Sequence, residues 1–156
     1  MKPTVGEQAP EFSTHAVCPD DGGMESVTLS ELKGKKVVLV FYPKDNTPGC
    51  TMQACAIRDQ WDVLKDKAVI YGVSGDGEES HKKFIAKRKL PYPLLVDTDH
   101  AIAEAYGAWL QKSLFGKKYM GIERSTFVIG TDGKLEKILE KVSPIKHIKL
   151  LLEALS

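Results

Sequence analysis

Residues 43–55 read PKDNTPGCTMQAC. The segment follows KKVVLVFYP (35–43), a β-branched and aromatic run that predicts a buried central strand ending at a proline. Thr47 then stands where a helix N-cap belongs. Pro48 takes the first helical position, where its missing N–H costs nothing. Apolar Ile57, Trp61 and Leu64 recur beyond it at helical spacing. A strand, a proline-bracketed turn and a helix start place Cys50 at the third residue of a helix, with Cys55 five residues further on.

Outward from this unit the pattern repeats. AVIYGVSGD (68–76) predicts a second buried strand and residues 78–89 an amphipathic helix carrying Phe84 and Ile85. YPLLVD (92–97) predicts a third strand, and residues 101–106 a short helix closed by Gly107. STFVIGTDGKLEKILEKV (125–142) has a hairpin pattern with Asp132-Gly133 at its turn. Ser143-Pro144 is expected to cap a last helix containing Ile148, Leu151, Leu152 and Leu155. The order implies an α/β fold with a mixed central sheet flanked by helices on both faces.

The chain has 156 residues, no repeat and no linker, which predicts one domain over 1–156. It is 42% hydrophobic and 28% charged with a formal net charge of +1, so overall charge gives no reason to expect nucleic acid or a membrane as partner. No apolar run approaches the roughly 20 residues of a membrane span. MKPTVGEQAPEF lacks the apolar stretch of a secretory signal, so the expected location is cytoplasmic, unless a targeting segment is missing. Three cysteines do not suggest a disulfide scaffold.

Close cysteines can be packing, metal ligands, a structural bridge or a redox pair. The first turn of a helix has unpaired N–H groups and a positive dipole end, both favouring a thiolate, which is the reactive form of cysteine. Gly49 leaves the Cys50 sulfur approachable, Thr47 offers a hydroxyl, and Pro43 and Pro48 stiffen the loop and limit water. On an ideal α-helix, residues five apart have Cα atoms about 8.7 Å apart. A disulfide needs roughly 7 Å or less. Cys50 and Cys55 therefore bridge only if the first turn or two of the helix unwinds.

PKDNTPGC fits the Pro-x-x-x-Thr-x-x-Cys motif of peroxiredoxins, and Cys-x-x-x-x-Cys resembles the bacterioferritin comigratory protein, or peroxiredoxin Q, group. VGEQAPEF, LVFYPKDNTPGCT, YGVSGD, PLLVD and GIERSTFVIG are similar to segments of that group in the same order. The resemblance implies a thioredoxin-like fold with N-terminal additions and a thioredoxin-dependent peroxidase of the atypical 2-Cys kind. Cys50 would be the peroxidatic cysteine, attacking hydrogen peroxide or an organic hydroperoxide and becoming a sulfenic acid. Cys55 would be the resolving cysteine, which condenses with it to an intramolecular disulfide. Thr47 would hydrogen-bond the peroxide, Pro43 would shield the thiolate, and Arg124 would lower the cysteine pKa and steady the transition state. The resemblance implies no metal or organic cofactor, a thioredoxin-like dithiol protein as reductant, and a monomer.

Plainer readings exist for each residue. Cys50 and Cys55 could be small buried apolar groups. Cys18, in the CPDDGG turn (18–23), is expected to be a bystander, although a bridge from Cys18 to Cys50 stays open. Without the resemblance, Arg124 reads as a surface ion-pair residue. Arg58 is expected to be solvated or salt-bridged, and Trp109 and Tyr119 to pack rather than line an entrance. Gln53 stands where relatives often have glutamate. His15, His81, His100 and His147 are scattered, with no metal-ligand spacing. Competing functions are a disulfide oxidoreductase, for which Cys-x-x-Cys is absent, a peroxide sensor or chaperone passing oxidation to a partner, and a metal-binding module.

Overall fold

The computed structural model describes residues 2–20 and 23–156, so the middle of the CPDDGG turn, residues 21 and 22, lies outside it. The strand before the cysteine helix, β3, spans Val37–Phe41 and is buried along its whole length. Its residues alternate between two cores. Val37, Leu39 and Phe41 pack on one face with Phe12, Tyr106 and Phe127. Val38 and Val40 pack on the other with Ile57, Phe84 and Leu151. Burial on both faces explains why the run is continuously apolar rather than alternating.

The remaining strands are β1 Ser13–Val17, β2 Met24–Thr28, β4 Val69–Ser74, β5 Leu94–Val96, β6 Trp109–Leu114, β7 Lys117–Ile122, β8 Ser125–Ile129 and β9 Leu135–Leu139. The helices are α1 Pro48–Asp59, α2 Trp61–Leu64, α3 Glu78–Arg88, α4 Ala101–Ala105 and α5 His147–Ala154, with a single 3-10 turn at Leu29–Leu32. Seven strands form one sheet in the order β2-β1-β5-β4-β3-β8-β9. β3, β4 and β5 are parallel neighbours, and the pairings outside them are antiparallel. Helices α1, α2, α3 and α5 supply the second core, while α4 covers the other face with Ile102 and Ala103. The mixed sheet with helices on both faces agrees with the sequence, and the fold is thioredoxin-like. No helix among the described residues is long and apolar enough to cross a membrane.

Four details differ from the sequence reading. The helix expected to run through Trp61 breaks at Gln60, whose φ of −104° and ψ of 14° leave the helical region, and α2 resumes beyond it. Ile57 and Leu64 still reach the core across that break. Ser143-Pro144 does not cap α5 directly. The Ser143 carbonyl instead accepts the N–H groups of Lys146 and His147 in a preceding turn, and Lys146 is the N-cap. Strands β1 and β2 were not anticipated, and they pair around the CPDDGG segment. Nor was the β6–β7 hairpin, which forms a separate two-stranded sheet with little burial and so shows no core-facing pattern.

Gly72, in the middle of β4, is needed for close packing. A Cβ there would sit 2.6 Å from Leu94 Cδ2 and 3.1 Å from Tyr42 Cε1, both buried side chains. Gly72→Ala should therefore destabilise the fold by about 1–3 kcal/mol, the usual cost of overpacking. Urea unfolding monitored by circular dichroism would measure this.

Candidate active site

β3 ends where Tyr42 donates its N–H to the Val73 carbonyl, and Pro43, with no N–H, cannot continue the ladder. The chain turns through Asn46, which has φ of 60°, and enters α1 at Thr47. Thr47 is the N-cap by position, yet its hydroxyl donates to the Lys44 carbonyl at 3.0 Å rather than capping the helix. Pro48 and Gly49 follow, and the Cys50 side chain turns inward, 2% exposed. Cys50 and Cys55 both carry free thiols on α1, Cys55 being half-buried.

Arg124 reaches Cys50 from 74 residues away in sequence. The register of β3 with β8 sets Phe41 opposite Ser125, so the residue before Ser125 lies beside the turn that leaves β3. Arg124 Nη2 donates to Cys50 Sγ at 3.4 Å, and Nη1 donates to Gln53 Oε1 in a short contact. Gln53 lies three residues after Cys50, on the same helix face, and holds the guanidinium against the sulfur. Gly49 makes room for it. A Cβ at that position would be 3.3 Å from Arg124 Nη2 and 3.2 Å from Pro144 Cγ. No carboxylate among the described residues forms a salt bridge with Arg124.

The surroundings of Cys50 are apolar and enclosed. Its thiol lines a small internal hollow of about 10 Å³ with Val40, Tyr42, Phe84 and Tyr92. Burial, then the Cys55 and Asp45 charges, push the Tyr92 hydroxyl far above its ordinary range. Pro43 is exposed and lines a different hollow, an open groove of about 330 Å³ shared with Lys44, Asp76, Trp109, Lys112 and Tyr119. Trp109 packs against the first core and stacks on His100, as expected of it, and it also lines this groove beside the cysteine loop; Tyr119 lines the groove as well but is 47% exposed, contrary to the packing role expected of it. Burial and the Arg124 charge lower the Lys112 ammonium from its usual range, opposed by Glu123 and Cys50. The structure thus brings Cys50, Arg124, Gln53 and Gly49 into contact. Thr47 and Pro43 border the same loop, and Cys55 lies further along α1.

A polar network beneath the loop was not foreseen. Buried Asp45 accepts from Tyr42 at 2.6 Å and from Ser80 at 2.8 Å, and lies 2.7 Å from His81 Nδ1. His81 Nε2 faces the Leu95 carbonyl at 2.8 Å. The Asp45 N–H donates to Asp76 at 2.7 Å. These bonds tie the loop before α1 to β4 and α3. Pairs such as Asp45 and His81 leave no spacing signal, because they meet only in the folded chain. Arg58 is held by Asp59 and by the Arg88 carbonyl, consistent with a salt-bridging role. Cys18, at the end of β1, is half-buried with its sulfur 4.0 Å from the Ala16 carbonyl. Among the described residues no three His, Cys, Asp or Glu side chains are grouped so as to hold a metal.

A free thiol in the first turn of α1, a second further along the helix, an arginine on the first sulfur and a thioredoxin-like sheet behind them are the makings of a thiol-dependent peroxidase. The AhpC/TSA family profile matches residues 5–138, and the chain belongs to that family. It is 48% identical over 152 residues to peroxiredoxin Bcp of Bacillus subtilis strain 168, covering 97% of this chain and 94% of the relative. Peroxiredoxin Bcp of Escherichia coli K12 is 42% identical over 149 residues, with 95% and 92% covered. A structure of Xanthomonas campestris peroxiredoxin Q superposes with a TM-score of 0.84 at 34% identity, over 92% of this chain and 89% of that one. The structures of the bacterioferritin comigratory protein from the same organism, described for alkyl peroxide reduction, give 0.83 at 34% identity with the same coverage.

Near the site, buried His147 bonds Thr126 Oγ1 through Nε2 at 2.7 Å, while its Nδ1 has no partner among the described residues. Burial first, then the Arg124 cation, lower its pKa from 6.5 to about 4. Between about pH 4 and pH 6.5 the ring is thus neutral when folded and takes up a proton on unfolding. Its contribution to stability is complete above about pH 6.5 and declines as pH falls toward about 4, by a total of about 3 kcal/mol. In His147→Asn, urea midpoints measured between pH 7 and pH 4 should fall less steeply than in the parent.

Proposed function

We propose that Cys50 is the peroxidatic residue of this thiol-dependent peroxidase, acting on hydrogen peroxide and organic hydroperoxides. The observation that carries the reading is the 3.4 Å contact from Arg124 Nη2 to Cys50 Sγ at the start of α1. The thiolate attacks the terminal peroxide oxygen and the O–O bond breaks. The sulfur gains a hydroxyl as sulfenic acid, and the departing alkoxide or hydroxide takes up a proton. Arg124 stabilises the charge that moves onto the departing oxygen without reorganising, because Gln53 already holds it in place. Thr47 offers a hydroxyl to the peroxide, and Pro43 borders the approach.

Cys55 then condenses with the sulfenic acid, forming a disulfide and releasing water, before irreversible oxidation intervenes. Both cysteines lie within α1, so its first turns must unwind for the sulfurs to meet. A thioredoxin-like dithiol protein supplies two electrons and two protons to restore the thiols. The unit is one domain over 1–156, a monomer, working in the cytoplasm.

One equivalent of hydrogen peroxide added to reduced protein, followed by alkylation and peptide mass mapping, should yield a Cys50–Cys55 disulfide with Cys18 alkylated. Circular dichroism should show helix lost with it. Cys55→Ser should react equally fast and stop at sulfenic acid. A Cys18–Cys50 bridge would move the resolving role to Cys18, and a Cys50 no faster than free cysteine would end the peroxidase reading. Arg124→Met should lower the rate constant for peroxide by about a hundredfold or more, in stopped-flow measurements.

A further inference from the structure

The β6–β7 hairpin carries side chains that the peroxide chemistry does not use. Residues 109–122 read WLQKSLFGKKYMGI, with three lysines and no aspartate or glutamate. Phe115 is 97% exposed at the turn, Leu114 57%, Met120 50% and Tyr119 47%. Positive φ at both Phe115 and Gly116 makes a tight two-residue turn, so the hairpin narrows to an apolar tip. The register sets Leu114 opposite Lys117 and Lys112 opposite Tyr119, which puts these four on one face. Ser113–Lys118 and Gln111–Met120 share the other face. Each face therefore mixes apolar and cationic groups, with charge of a single sign.

We propose that this hairpin docks the protein on anionic lipid bilayers. A narrow tip with lysines on both faces matches a soft, negatively charged surface better than a flat protein partner. Phe115 and Leu114 enter the boundary between headgroups and acyl chains, while Lys117 and Lys118 reach the phosphates. The near-neutral charge of the whole chain gave no sign of this, because three lysines without an acidic neighbour in the hairpin are lost in a total of 22 basic and 21 acidic residues. Its base lines the groove beside Pro43, through Trp109, Lys112 and Ile122. Docking by the tip thus holds the groove beside the cysteine loop near hydroperoxides carried in the bilayer, a consequence that rests on the peroxidase reading.

The test uses full-length reduced protein sedimented with vesicles of phosphatidylcholine alone or mixed with phosphatidylglycerol. Binding is expected only to the mixed vesicles and should weaken as salt is raised. Phe115→Asp, and separately Lys117→Gln with Lys118→Gln, should each lower partitioning about tenfold or more. All three residues lie on the exposed hairpin, and turnover of soluble tert-butyl hydroperoxide should be unchanged in both variants. Equal sedimentation with both vesicle types, or binding that survives Phe115→Asp, overturns the proposal. So does an absence of binding to the mixed vesicles, and a dimer that Phe115→Asp dissolves would then assign the tip to a second copy of the chain. Failure to turn over soluble hydroperoxide in the parent would instead count against the peroxidase reading alone.

Discussion

The pairing of β3 with β8 fixes the working end of the molecule. Antiparallel register sets Phe41 opposite Ser125, at the ends of two strands buried on both faces. From one strand end the chain turns into α1 and delivers Cys50. From the other, Arg124 meets it across 74 residues of sequence. A shift of one residue in either strand would reverse its alternation and send core side chains to the wrong face. The contact between thiol and guanidinium is therefore as secure as the core itself. Gly49 and Gln53 then tune it, one by lacking a side chain and the other by gripping the guanidinium.

Beneath this contact the loop from Pro43 to Asn46 is tied down by side chains rather than by strand pairing. Asp45 collects Tyr42, Ser80 and His81, Asp76 receives the Asp45 N–H, and Arg88 donates to Asn46. A buried carboxylate is tolerated because it is fully hydrogen-bonded. The loop is thereby stiff on the strand side, while α1, beyond Thr47, has no side-chain cap. An asymmetry of this kind would let the helix start open, as the proposed cycle requires, without disturbing the sheet.

Much of this was legible before any coordinates. The apolar run of β3, Pro48 at a helix start and the Asp132-Gly133 turn each carry a local signal, and the structure follows them. Arg124 has none, since its contact with Cys50 arises from the β3–β8 register, and only the resemblance pointed to it. Gln53 stood out only as a departure from the glutamate of its relatives, and nothing in the sequence pointed to Arg124 as its partner. The β6–β7 hairpin was hidden for a different reason. It buries little, so no alternation marks it, and its turn uses Phe115 where asparagine or glycine usually signals a hairpin.

The position of both cysteines within α1 also bears on redox equilibrium. The proposed disulfide between Cys50 and Cys55, five residues apart, would close a very short loop and gain little from restricting the unfolded chain. It must also hold several helical residues open. Reducing it lets α1 re-form, so the folding energy of that segment adds to the driving force for reduction. About 1.4 kcal/mol of regained helix raises the potential of the couple by about 30 mV. The stability of α1 and the readiness of the oxidised protein to accept electrons are then one quantity, and substitutions that strengthen the helix make the disulfide more oxidising.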